Sequence, residues 1–136
     1  MRTILVAFDG SQHALNAVKE ARKFQRVFPE ARVTILKVLK VAKAKDECLD
    51  LSLTIEEKKR IRIKTVEKEL ADLVEHDTID IVVGDPAKKI IEYVQEHTFD
   101  LVIMGTRGRK RLKEIVLGSV SHEVSTHVDT PVLIVK

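Results

Sequence analysis

The chain of 136 residues contains no tryptophan, one tyrosine, four phenylalanines, three prolines and one cysteine. So few rings give little surface on which to stack bases, which argues against a binder of single-stranded nucleic acid. A lone Cys48 excludes an internal disulfide and a cysteine-based zinc cluster. An excess of one charge is missing as well: 24 Lys and Arg stand against 21 Asp and Glu, a formal +3. That is too small to mark a nucleic-acid binder by charge. No apolar run approaches the roughly 20 residues of a membrane-spanning helix. The opening run at 4–8 stops at Asp9, short of the about 7–15 apolar residues of a signal-peptide core. These absences point to a soluble, cytoplasmic protein in a reducing compartment. With 44% hydrophobic and 33% charged residues, the chain has the balance of one folded domain, expected over residues 1–136.

What is present is an alternation of two patterns. Short apolar runs occur at 4–8, at 33–39 (broken by Thr34 and Lys37), at 79–83 (broken by Asp80), at 101–104 and at 132–135. Runs of this length suit strands buried on both faces, as in a parallel sheet. Between them, Ala14, Ala17, Val18, Ala21, Phe24 and Phe28, then Ile63, Val66, Leu70, Leu73 and Val74, then Ile90, Ile91 and Val94 follow helical spacing, and Val120, Val124 and Val128 step by four. Thr54-Ile55-Glu56-Glu57 has the form of a capping box, in which the first and last side chains each satisfy the other's backbone N–H. Asp85-Pro86 puts a cap residue before a proline at the first helical position. The order β-α-β-α-β-α-β-α-β predicts an open, Rossmann-like α/β fold with a five-stranded parallel sheet and helices on both faces. Residues 40–52, charged and weakly periodic, read as a surface loop.

Ligands of such sheets sit outside the carboxyl ends of the strands. Gly105-Thr106-Arg107-Gly108 follows the fourth run, and Gly118-Ser119 opens the last helix after a gap of nine residues from Gly108. Successive N–H groups in a glycine turn can form an anion nest, and a helix start adds free N–H groups and a positive dipole end. The pattern fits a polyphosphate held between the loop and the helix. It equally fits a tight turn followed by an ordinary helix. A P-loop lysine motif is absent, and the first strand leads to Asp9 rather than to a G-x-G-x-x-G turn.

Together these residues spell G-x2-G-x9-G-[ST], which resembles the nucleotide motif of the universal stress protein family. The opening Ile4-Leu5-Val6-Ala7-Phe8-Asp9-Gly10-Ser11, the turn Gly84-Asp85-Pro86 and the ending Thr130-Pro131-Val132-Leu133-Ile134-Val135 are similar to that family's first strand, its G-x-P and its final strand. The resemblance implies strand order 3-2-1-4-5, the ATP-binding branch of the family, and a homodimer formed through the final strand, Val132 to Val135. It implies that Gly105, Gly108, Gly118 and Ser119 hold phosphates and ribose, extended by Val120 and Ser121. Asp9 then lies on the nucleoside or metal side, with Mg²⁺ accompanying ATP, and Val38 contacts adenine through its backbone.

Read alone, Asp9 is either such a ligand or a cap for the next helix, a role Ser11 can fill equally. Arg107, Arg109, Lys110, Arg111 and Lys113 either screen phosphate charge or form a solvated loop. His122 and His127 stand five apart, not at the i, i+4 spacing of a helical zinc site, and His13, His76 and His97 are scattered. No nucleophile–base arrangement is visible. The expected function is nucleotide-dependent regulation in a stress response with at most slow hydrolysis. The alternatives are a slow Mg²⁺-dependent ATPase or autokinase using Asp9, and a dimeric adaptor that binds no nucleotide.

Overall fold

The computed structural model describes residues 1–40, 53–70, 77–106 and 117–136. Five strands, β1 (Thr3–Ala7), β2 (Arg32–Leu39), β3 (Thr78–Val83), β4 (Leu101–Gly105) and β5 (Val132–Val135), form one parallel sheet in the order β3-β2-β1-β4-β5. The expected strand order and connectivity are therefore present. Four described helices accompany them: α1 (Gln12–Val27), α2 (Ile55–Glu69), α3 (Pro86–Glu96) and α4 (Ser119–His127).

The central strands are apolar on both sides because both sides are covered. Ile4, Val6, Val33, Ile35 and Ile103 pack under Ala14, Ala17, Val18 and Ala21 of α1 and Val66 of α2. Leu5, Leu36, Val102 and Met104 pack under Ile90 and Val94 of α3 and Val124 of α4. Each fully buried aliphatic side chain contributes about 1.5–3 kcal/mol, so these two layers fix the sheet between its helices.

The helix starts form as the sequence predicts. Thr54 and Glu57 make both halves of the capping box, and Asp85 accepts Lys88 N–H ahead of Pro86. Ser11, not Asp9, caps α1, accepting Ala14 N–H at 3.1 Å. The start of β1 is tied to β4 by the Asp100 carboxylate, which accepts the N–H groups of Arg2 (2.7 Å) and Thr3 (3.0 Å). At the β3 edge, the Asp80 carboxylate accepts the Tyr93 hydroxyl at 2.9 Å and pairs with Lys59 at 3.3 Å. The described part of α2 ends at Glu69 with Leu70 as its C-cap. Leu73 and Val74 lie outside the described residues, as do residues 41–52 of the expected loop, Cys48, Gly108 and the basic residues from Arg107 to Lys113. No helix among the described residues is long and apolar enough to cross a membrane.

Candidate functional site

The strand order reverses at β1, between β2 and β4, so the crevice lies beyond the carboxyl ends of β1 and β4. After β1 the chain turns sharply. The Asp9 carboxylate accepts Ser11 N–H at 2.9 Å, and Gly10 takes φ +82°, a conformation that favours glycine. The carboxylate thus braces the turn while its residue stays exposed.

On one side of β1, the backbone of β2 runs on past its last pairing with β1. Pairing of β1 with β2 ends at Ala7 and Leu36, whereas β2 continues beside β3 as far as Leu39 and Val83. The Leu36 carbonyl faces β1 and accepts Phe8 N–H at 2.9 Å, and the Leu39 carbonyl faces β3 and accepts Gly84 N–H at 2.8 Å. Backbone groups in a parallel sheet alternate between neighbours. The N–H and C=O of Val38 therefore face the β1 side, past the last β1 pairing, while its side chain packs in the layer beneath α3 and α4.

On the other side stand the end of β4 and the start of α4. Gly105 ends β4, and a Cβ there would come within 2.7 Å of His13 Cβ and 3.0 Å of the His13 carbonyl carbon. Glycine is needed at 105 because the first turn of α1 sits directly on it. The Gly105 carbonyl accepts the Ser121 hydroxyl at 2.6 Å, and Ser121 is buried. Thr106 N–H donates to Val135 O at 2.9 Å, and Thr106 O accepts Gly118 N–H at 2.6 Å. The stretch of chain between 106 and 118 thus begins and ends at one hydrogen bond. Gly118 is the N-cap of α4 and supplies no side-chain cap, unlike Ser11, Thr54 and Asp85 on the other described helices. Among the described residues, the first-turn N–H groups of α4, at Ser119, Val120 and Ser121, consequently have no capping side chain, and Ser119 is exposed. Such a helix start attracts anions.

The structure thus brings Asp9, Val38, Gly105, Gly118, Ser119, Val120 and Ser121 to one end of the sheet. Gly108 falls outside the described residues. The donor hydrogen of Ser121 is directed to Gly105, so this hydroxyl joins α4 to β4 and can face a ligand only as an acceptor. Two further residues belong to the site, His13 and Thr106, whose Nδ1 and Oγ1 lie 3.3 Å apart. Sequence reasoning passes over His13 as one of several scattered histidines. The available signal is its place two residues after the α1 cap, on the first turn beyond β1. No group of three metal-ligating side chains occurs among the described residues.

A fold and crevice of this kind define a family, and comparison with known proteins identifies it. The model of the Universal stress protein family matches residues 1–136. The chain belongs to that family. A 58-residue stretch, 43% of this chain, is 48% identical to the stress response protein NhaX of Bacillus subtilis and spans 35% of that protein's length. The solved structure of MJ0577, described as a hypothetical protein in a structure-based assignment of biochemical function, superposes with a TM-score of 0.78 at 30% identity, covering 99% of this chain and 95% of that one. A universal stress protein in complex with cAMP superposes with a TM-score of 0.68 at 25% identity, covering 99% and 96%.

Proposed function

We propose that this protein binds an adenine nucleotide across the carboxyl ends of β1 and β4, with ATP as the nucleotide, and that occupancy regulates its part in a cytoplasmic stress response. The observation that carries the reading is a pair of open backbone sets flanking the end of β1. The N–H and C=O of Val38 offer one donor and one acceptor, the complement of an adenine edge. The first turn of α4, from Ser119 to Ser121, offers N–H groups to phosphate. The cAMP complex of a related chain supports the choice of an adenine nucleotide.

In this reading Val38 holds the base, Gly105 lets the site stay narrow, Gly118 lets phosphate approach the helix start closely, and Ser119 and Val120 hold it together with Gly108. Mg²⁺ typically takes one or two carboxylates together with phosphate oxygens and water. The exposed Asp9 carboxylate fits that donor set, and Mg²⁺ there would neutralise phosphate charge. The chain's own residues bind and orient the nucleotide rather than drive rapid transfer, since the sequence has no P-loop lysine. We further propose a homodimer through β5, whose four apolar residues are only half-buried at the sheet edge opposite β3. Native mass spectrometry of freshly purified protein tests both parts. The expected species is a dimer carrying an adenine nucleotide per chain. A nucleotide-free species that stays so after incubation with MgATP overturns the nucleotide reading, and a monomer overturns the dimer.

A further inference from the structure

Two helix starts converge on Thr106. The first turn of α1 presses against Gly105 through His13, and the first turn of α4 begins at Gly118, whose N–H donates to Thr106 O at 2.6 Å. Both ends carry the positive pole of a helix dipole, about half an elementary charge each. Like poles directed at one small region repel unless an anion or a direct contact holds them together. The backbone of residues 105 and 106 is fixed to β5 and α4 by three hydrogen bonds, from Thr106 N–H to Val135 O, from Gly118 N–H to Thr106 O and from the Ser121 hydroxyl to Gly105 O. The link from this junction to α1 is a side-chain contact, His13 Nδ1 to Thr106 Oγ1 at 3.3 Å, between residues 93 apart in sequence.

We infer that His13 is a positioning residue for the anion seat: its contact with the Thr106 hydroxyl clasps the start of α1 to the start of α4 and keeps the seat assembled before a nucleotide arrives. The inference rests on the nucleotide reading above and adds to it a residue outside the glycine motif. Either tautomer serves, with Nδ1–H donating to Oγ1 or the hydroxyl donating to a bare Nδ1. The energetic logic is preorganisation: a seat already spaced for phosphate spends less of the binding free energy on ordering itself. Because His13 acts through Thr106, it need not touch the ligand. The clasp requires an atom at the place of Nδ1. Asparagine puts a polar amide atom there, whereas glutamine puts its amide one carbon farther out.

The test titrates MgATP into the full chain by calorimetry and follows Gly118 amide exchange by NMR without nucleotide. His13→Ala and Thr106→Val should each weaken MgATP binding roughly three- to tenfold, the range for one lost neutral hydrogen bond. The double variant should be no worse than either single one, because both remove the same contact. Gly118 exchange should quicken in both. His13→Asn should restore affinity and protection, and His13→Gln should not. A merely structural histidine would give a lower urea midpoint with no such difference between asparagine and glutamine. Wild-type affinity and Gly118 protection in His13→Ala, or failure of His13→Asn to restore them, overturn the clasp alone. Wild-type protein that binds no MgATP overturns the nucleotide reading and the inference with it.

Discussion

Replacing Gly105 with alanine adds a single methyl group where the first turn of α1 meets the end of β4. The added Cβ would lie 2.7 Å from His13 Cβ, 3.0 Å from its carbonyl carbon and 3.2 Å from its carbonyl oxygen. Carbon atoms in contact prefer separations of about 3.5–4.0 Å, so α1 must retreat by several tenths of an ångström. Two of the three obstructing atoms are backbone, and the hydrogen bonds of Thr106 on the opposite side limit how far β4 can yield. Overpacking of this type costs about 1–3 kcal/mol. With a urea slope near 2 kcal/mol per molar, the unfolding midpoint should fall by roughly 0.5–1.5 M in protein free of nucleotide. Combining Gly105→Ala with His13→Gly removes the nearest obstruction and should recover part of the loss beyond the sum of the separate effects. The assay is urea unfolding followed by far-UV circular dichroism. A Gly105→Ala midpoint equal to that of the wild type would refute the reasoning and would mean that glycine at 105 is not required by packing.

Tyr93 is the only tyrosine, and tryptophan is absent, so ultraviolet titration reads this phenol alone. Burial, followed by its hydrogen bond to Asp80 and the charge of that carboxylate, pushes its pKa up to about 12. The phenol contributes stability that is complete below the ordinary value near 10 and is lost as pH rises toward 12. The native protein should therefore ionise well above the urea-unfolded chain, and coincident titrations would contradict the Asp80 contact. The Asp100 carboxylate is held below its usual range, first by Arg2 N–H, then by Thr3 N–H, with the chain's amino terminus adding to the effect. A depressed pKa gives stability that is present above the usual carboxylate range and lost as pH falls through the lowered value. Asp100→Asn should thus unfold at a lower urea concentration than the wild type near pH 6, and the gap should narrow toward pH 3. A gap independent of pH would refute the role of the charge.

The sheet is legible in the sequence because its central strands are buried on both faces, and continuous apolar runs such as 101–104 have few other uses. Even so, the run at 79–83 is broken by Asp80, and only the structure shows Tyr93 and Lys59 meeting that carboxylate. Caps are legible where residue type and position agree, as at Thr54 and Asp85. The choice between Asp9 and Ser11 turns on backbone geometry, with Gly10 at positive φ, and composition does not encode it. The glycine motif marks the crevice, yet the physical reason for Gly105 is the nearness of His13, which depends on the docking of α1 against β4. The contact of His13 with Thr106 joins residues 93 apart, beyond any local pattern. The direction of the Val38 backbone depends on β2 outrunning β1, a matter of register that hydrophobic spacing alone cannot report. Family membership follows from the whole chain, whereas the proposed nucleotide rests on these few backbone groups.

The proposed adenine nucleotide binding rests on backbone N–H groups at the start of α4 holding the phosphates. Gly118 has φ −59° and ψ 154°, angles open to any residue, so Gly118→Val adds bulk at the seat without backbone strain. Calorimetric titration of MgATP into wild-type and Gly118→Val protein is the most direct measurement. One nucleotide per chain is expected in the wild type, with loss of binding in a variant that keeps the wild-type far-UV circular dichroism. Equal affinity in the two proteins would contradict it.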